Sequence, residues 1–520
     1  MSYIKITDRT QLTFLPDCLD DFVTDNNPVR VIDAFVNSLN MVELGFSKAV
    51  SNDNCRPCYD PKDLLKCYIY GYINRIRSSR RLMTECARNV ELMWLMGRLV
   101  PDFRTIADFR KDNSLPLKRI FRAFVKLCDE LELYGKELFS IDGTKFKAVN
   151  SKDNNFTVNK LKDRIKWIDE SIEHYLNELN YSDVVEVQEK QLSGKDIQGK
   201  IDALKARKSK YENYIDVIIA SDDTQLSITD PESKLMMANG KLDVCYNVQA
   251  AVDAKNHLIA DYIVDNNAAD AGYLKITADE AKAALSIKTV ETLADAGYDN
   301  KYDAKDCLFS GTFPNVYFNK KRNHKKYIVL SQYEPKEIAD EIRNSKEPGD
   351  IETCLKAGVV PAVYADKNIK VEVMDEYDEP NYMLCPVSGC TITYAGETTN
   401  LFRFLSPGAC RYCKNKCLKQ PRKNKRRQSN YVGNMITRPK NREGARTIVR
   451  ITIASDTEKL KQRKCLSEHP FGTVKHWGHG SFLLTKGKTK VSAEIALSFL
   501  AYNFKRLINL VKVDKILAKC

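Results

Sequence analysis

Apolar positions in the first 135 residues recur at helical spacing. After Pro28, which suits the first turn of a helix, Val31, Ala34, Phe35 and Leu39 fall on one stripe. A second stripe follows Asp60-Pro61 with Leu64, Leu65, Tyr68, Ile69 and Tyr72, and Ser78-Ser79 can cap a third helix. Short helices are predicted to continue over 93–99 and 105–110. Arg75, Arg77, Arg80, Arg81, Arg104 and Arg110 lie near the ends of these segments. That suits a helix-turn-helix type of DNA-binding module, and equally a plain helical packing domain.

The period changes after residue 135. The run 138–149 reads as a strand carrying a single acid, Asp142, in an apolar context. Helical spacing returns with Leu161, Ile165, Ile168, Ile172, Tyr175 and Leu179. It recurs with Ile197, Ile201, Leu204, Tyr211, Ile215 and Ile218, with Lys208 filling one seam position. Two such helices joined near 180–195 predict an antiparallel hairpin. Its acids and bases are equal in number, which fits packing or dimerisation better than nucleic-acid binding. Strands are predicted at 246–253, 257–264, 289–298 and 315–319, with a helix over about 271–285. Helical patches are predicted within 333–450, then a basic helix before Glu468 and a last helix over about 491–511. Strands alternating with helices and broken by insertions predict an α/β sheet domain whose halves lie far apart in sequence.

Composition adds limits. The 520 residues are 43% hydrophobic and 29% charged, enough for substantial cores and a charged surface, which excludes a disordered or collagen-like chain. No apolar run approaches the ~18–20 residues of a membrane span, and the first residues lack a basic-then-apolar leader. A cytoplasmic protein with no membrane partner is expected. The net charge of +13 is local: residues 411–450 hold fourteen Lys and Arg against Glu443 alone, so the remainder is neutral. Such a block is an anion-binding footprint, with DNA or RNA the usual partner.

Sixteen cysteines in a chain of this kind argue against a disulfide framework. Most are scattered in apolar surroundings. Five cluster as Cys385-x4-Cys390 and Cys410-x2-Cys413-x3-Cys417, a spacing that can close a structural Zn²⁺ site from two turns. The spacing leaves open which four bind; Cys385, Cys410, Cys413 and Cys417 are the favoured set. His469, His476 and His479 form no comparable ligand set, and Trp477 is a candidate for stacking on an unpaired base.

Asp142, Asp295 and Glu468 are three carboxylates from distant parts of the chain. Phosphoryl transfer needs divalent cations held by two or three converging acids, but Asp253, Asp265, Asp270 and Asp299 also lie near predicted strand ends. The surrounding motifs are more selective. Ser140-Ile141-Asp142-Gly143-Thr144-Lys145, Leu293-Ala294-Asp295-Ala296-Gly297-Tyr298-Asp299 and Glu468-His469-Pro470-Phe471-Gly472-Thr473-Val474-Lys475 resemble the three acidic motifs of bacterial insertion-sequence transposases of the DDE class. The order of the motifs, a cysteine-rich insert before the last acid, the stretch from Pro101 to Arg110 and the C-terminal helix from Leu500 to Arg506 agree with that resemblance.

The resemblance implies an RNase H-like α/β catalytic domain, interrupted by the helical hairpin and a zinc-ribbon-like Cys-rich insert, and preceded by an all-helical domain. The corresponding parts are 1–135 (DNA binding), 136–330 (first part of the catalytic domain, hairpin at 151–220), 331–450 (basic insert) and 451–520 (the part with the third acid). It also implies two catalytic Mg²⁺ held by Asp142, Asp295 and Glu468. DNA contacts are expected from Lys475, Arg463, Lys464, Arg426 and Arg427. The Tyr of a related Tyr, Arg, Glu, Lys signature is absent here, where Lys461 stands. Its Arg is matched only in charge, by Lys464 beside Arg463. If the helix is unbroken, Glu468 and Lys475 share one face. The expected activity is DNA transposition from terminal inverted repeats by a homodimer at the bacterial nucleoid. The alternatives are a nuclease of the same fold and a transposase-derived regulator.

Overall fold

The computed structural model describes residues 18–50, 58–182, 194–221, 223–238, 240–316, 326–405, 435–442, 445–477 and 481–520. Among the described residues, six α-helices precede the first strand: α1 (Pro28–Ser38), α2 (Pro61–Ile73), α3 (Ser79–Arg88), α4 (Val90–Leu95), α5 (Phe103–Asp112) and α6 (Ser114–Glu130). Side chains that close their first turns set several of the starts. Asn27 accepts from the Val29 amide and Asp60 from that of Lys62, each just ahead of a proline at the first helical position. The predicted stripe of α1 is buried through Val31 and Phe35, and α2 is buried on nearly every side.

The central sheet begins with β1 (Leu138–Lys147). A short strand β2 (Asn155–Thr157) leads into the helical hairpin α7 (Val158–Ser182) and α8 (Gly194–Ala220), and β3 (Gln225–Ser227) returns beside β2. The hairpin closes on Leu161, Ile168, Tyr211 and Ile218, and Lys208 reaches Asp169 across the seam at 2.6 Å. The strands β4 (Lys234–Ala238), β5 (Lys241–Asp253) and β6 (Ile259–Asp265) follow. Next come α9 (Leu274–Ala284), β7 (Val290–Ala294), α10 (Lys301–Phe309) and β8 (Thr312–Val316). Strand β1 lies antiparallel to β5 and parallel to β7, β7 is parallel to β8, and both β4 and β6 pair with β5.

Beyond β8 the structure departs from the predicted helical patches. Helices α11 (Asp340–Asn344) and α12 (Pro348–Lys356) are present, but strands dominate thereafter. The strands β9 (Lys326–Gln332), β10 (Ile369–Asp375) and β15 (Thr447–Ala454) form one sheet in the order β10-β15-β9. The strands β11 (Tyr382–Leu384), β12 (Thr391–Glu397), β13 (Leu401–Leu405) and β14 (Ile436–Pro439) form another in chain order. Several of these are too short for an alternating pattern to stand out from a helical one.

Helix α13 (Thr457–Gly472) holds Glu468 within it, then gives way to a π-helical turn, Thr473–Trp477. The unbroken helix expected to align Glu468 with Lys475 is therefore absent. Pro470 cannot donate the backbone hydrogen bond that would continue the ladder, and the wider turn follows directly. Helix α14 (Lys488–Leu510) is the central helix, packed on α2 and α6, and α15 (Val513–Leu517) follows it. Phe504 stacks on Phe124 with ring centroids 4.0 Å apart and meets Phe35 edge-on. One continuous hydrophobic core runs from α1 through the central sheet to α14.

Candidate active site

The pairing of β1 with β7 matches Leu138 with Glu291 and Ser140 with Leu293. Carried two residues further, this register sets Asp142 beside Asp295, at the point where β7 ends. Asp295 leaves the strand to cap a short 3₁₀ turn, its Oδ1 accepting from the Gly297 amide at 2.8 Å. Asp142 Oδ1 accepts from the Gly143 amide, also at 2.8 Å. Burial raises the pKa of Asp142. Arg463, a bond from the Ser467 hydroxyl and the Gly143 amide oppose that rise, while the negative charge of Asp295 adds to it.

Helix α13 covers this face of the sheet, with Leu460 and Leu466 packed on Leu293. The same side of the helix turns Arg463 and Ser467 toward Asp142. Arg463 forms a 3.2 Å ion pair with the Asp142 carboxylate, while its buried Nε has no hydrogen-bond partner. Lys464 and Glu468 are exposed on another side of the helix, and the Glu468 carboxylate makes no hydrogen bond or ion pair among the described residues. Lys475, on the π turn, lies against β1. Its ammonium donates to Thr144 Oγ1 at 2.5 Å and to the Lys145 carbonyl at 2.8 Å, and covers the Phe146 ring. Burial pushes its pKa down to about 8, with Cys245 opposing and Lys145 adding to the shift.

The model of the "Transposase DDE domain" family matches residues 214–504, more than half of the chain. The chain belongs to the DDE transposase family. The matched span contains Asp295, Glu468 and Lys475 and begins after Asp142. At the family level a DDE transposase is a metal-dependent, DNA-cleaving enzyme. A "Transposase domain (DUF772)" model matches residues 17–112, within the helical part. No curated protein matches the chain. A solved structure, described as "Cryo-EM structure of piggyBac transposase synaptic complex with hairpin DNA", is similar at 9% identity over 95% of this chain and 81% of that one. Its TM-score of 0.29 is too low to carry an argument.

In this DDE transposase the donor set beside Arg463 fits a hard cation. One carboxylate comes from β1 and the other from the turn that ends the adjacent β7, the first paired with the Arg463 guanidinium, and oxygen donors are what Mg²⁺ takes. Among the described residues no group of three or more His, Cys, Asp or Glu stands close enough to hold a metal. Of the clustered cysteines, Cys385 and Cys390 flank a tight turn between β11 and β12, where the Cys385 amide donates to the Cys390 carbonyl at 2.8 Å. Cys410, Cys413 and Cys417 lie outside the described residues, as do Arg426, Arg427, His479 and the Trp477 side chain. His469 packs against Tyr502, its Nδ1 3.0 Å from the hydroxyl.

The basic block looks different in three dimensions. Arg446 pairs with Glu376, Arg450 with Glu379, Lys440 with Glu397 and Arg442 with Asp378. Arg438 is buried against Tyr377, Phe402 and Phe404. These five residues are engaged with the insert itself, so counting charge along the chain overstates what they offer a polyanion.

Of the other strand-end acids, Asp253 accepts the Gly135, Lys136 and Lys255 amides, and Asp265 pairs with Lys488. Asp270 joins the site. Together with Asp142 and Asp295 it holds the buried Tyr298 hydroxyl in its protonated form, after burial itself. In the sequence its only signal is a turn-rich run, Asn266-Asn267-Ala268-Ala269-Asp270-Ala271-Gly272, at the exit of a strand.

Proposed function

We propose that the chain is a cut-and-paste DNA transposase with an RNase H-like catalytic domain, acting on the terminal inverted repeats of an insertion sequence. The register of Asp142 beside Asp295 is the observation that supports this most. A sheet in which β1 is antiparallel to β5 and parallel to β7 supports the RNase H-like assignment. Asp142 and Asp295 would hold the catalytic Mg²⁺, with Glu468 as the third carboxylate. Bound divalent ions supply activation of the attacking oxygen and neutralisation of charge on the scissile phosphate.

The chain's own residues do the positioning. Arg463 balances the Asp142 carboxylate, and with a divalent ion held there its guanidinium would be available to meet a DNA phosphate. Lys475 and Lys464 would hold the backbone beside the carboxylates, and Arg426 and Arg427 would extend that grip. The helices of 1–135 would read the repeats, since phosphate contacts alone carry no sequence information. The remaining parts keep the bounds expected above, with 136–330 and 451–520 forming the catalytic domain around the insert 331–450. Zn²⁺ would tie that insert together. Of the favoured set Cys385, Cys410, Cys413 and Cys417, only Cys385 lies in the described residues. A homodimer would bring two ends together, with the helical hairpin as one interface.

The test is a joining reaction with purified protein, Mg²⁺, DNA flanking its gene and a separate target plasmid. Joined 3′ ends in the target are the expected product. Cleavage without joining would make it a nuclease, and binding without cleavage a regulator.

A further inference from the structure

The polar network around Asp270 touches both proposed catalytic aspartates without including either. Asp270 lies in the segment after β6. Its Oδ1 accepts from Lys145 Nζ at 2.9 Å, Asn247 Nδ2 at 3.0 Å and Gln249 Nε2 at 2.8 Å. Those three donors come from β1 and β5. Gln249 continues the chain, accepting the hydroxyl of the buried Tyr298 on its Oε1. Tyr298 belongs to the 3₁₀ turn that Asp295 caps, and its amide donates to the Asp295 carbonyl at 3.2 Å.

Two glycines complete the arrangement. Each proposed catalytic aspartate accepts a hydrogen bond from a glycine amide, Asp142 from Gly143 and Asp295 from Gly297. At Gly143 a Cβ would collide with Gln249 Nε2 and come within 2.8 Å of Asp270 Oδ1. At Gly297 it would stand 2.9 Å from Asp295 Oδ1 and 3.6 Å from Asp270 Oδ2. The Gln249 amide and the Asp270 carboxylate that holds it therefore fill the space a side chain would take at Gly143, while at Gly297 Asp270 lies at ordinary van der Waals distance. A charge-assisted acceptor with three donors on one oxygen is a stiff anchor.

We propose that Asp270 is a positioning residue of the catalytic centre. It locks Lys145, Gln249 and Tyr298 against Gly143 and Gly297, and so sets the spacing and orientation of Asp142 and Asp295. The proposal rests on the reading of those two aspartates as metal-holding residues. Loss of a supporting residue of this kind reduces metal affinity or activity by roughly 10–100-fold.

The test uses the full-length chain and a supercoiled plasmid carrying the DNA that flanks its gene, with Asp270→Asn, Tyr298→Phe and Asp142→Asn compared with the wild type. Asn keeps an acceptor oxygen of nearly the same shape but loses the charge that holds Lys145, Asn247 and Gln249 on one oxygen, so it loosens the anchor without emptying the site. The expected result for Asp270→Asn is about tenfold slower cleavage at saturating DNA and about tenfold weaker Mn²⁺ binding by electron paramagnetic resonance, with DNA affinity unchanged. Wild-type values of either cleavage or Mn²⁺ binding overturn the proposal, as does a fall in cleavage matched by an equal fall in DNA affinity. If Asp270→Asn does not fold, Tyr298→Phe decides by the same readouts, since it removes only the hydroxyl link to Gln249. An inactive Asp142→Asn beside a normal Asp270→Asn removes this inference alone. Normal cleavage by Asp142→Asn removes the catalytic reading beneath it.

Discussion

Lys475 shows how a single side chain can be tuned by where a helix ends. Held against Thr144 and the Lys145 carbonyl and pushed down to about 8 by burial, it loses its charge near physiological pH. A DNA phosphate beside it favours the charged form, so affinity for DNA should fall between pH 7 and pH 9. Lys475→Met should flatten that fall in an anisotropy titration; an unchanged slope would remove Lys475 from the DNA contact. Stability without DNA runs the other way. The folded pKa lies below the unfolded value of about 10.4, so burying the charged amine is unfavourable below about pH 8. The penalty fades as pH rises toward 10.4, and wild type should gain on Lys475→Met over that window. At this scale the sequence pointed to Asp142 and Asp295, each with a glycine within two residues, and the strand register sets the two side by side. The sequence was a poor guide to Asp270, whose role depends on three donors that only the folded sheet assembles.

At the scale of the element, α13 is where sequence and structure part most. Its periodicity could not say that Pro470 and a π turn would break the phase between Glu468 and Lys475. Nor could it say that Arg463 and Ser467, rather than Glu468, would face Asp142. Glu468 itself is exposed near the end of that helix. Glu468→Gln should therefore leave the melting temperature of the metal-free chain within a degree or two, because the side chain is exposed, while reducing Mg²⁺-dependent cleavage by at least about 100-fold. Cleavage at the wild-type rate would exclude Glu468 as the third acid. The hairpin of α7 and α8 was legible because two long heptad-like stripes leave one way to pair. The insert was not, because β11, β13 and β14 span only three to five residues each.

Across the whole molecule, the helical part and the central sheet share one core, and α14 is the piece that joins them. Phe504 touches Phe35 and Phe124 from the other end of the chain, and the buried Arg77 pairs with Glu494 across the same junction. Phe504→Ala should cost about 3–5 kcal/mol and lower a single cooperative transition monitored from either part. Two separate transitions, with the helical part unaffected, would mean that the parts fold independently. That shared core also explains why elements far apart in sequence, β1, β7 and α13, meet at one site. The sequence showed the separate pieces, but a seam built from residues near 35, 124 and 504 leaves no local pattern.

The most direct measurement is Mg²⁺-dependent cleavage of a supercoiled plasmid carrying the flanking DNA, by wild type, Asp142→Asn and Asp295→Asn at equal DNA occupancy. A catalytic pair of Asp142 and Asp295 predicts that wild type nicks the plasmid only when Mg²⁺ is present, and that each variant binds it and leaves it intact. Cleavage at the wild-type rate by either variant would contradict it.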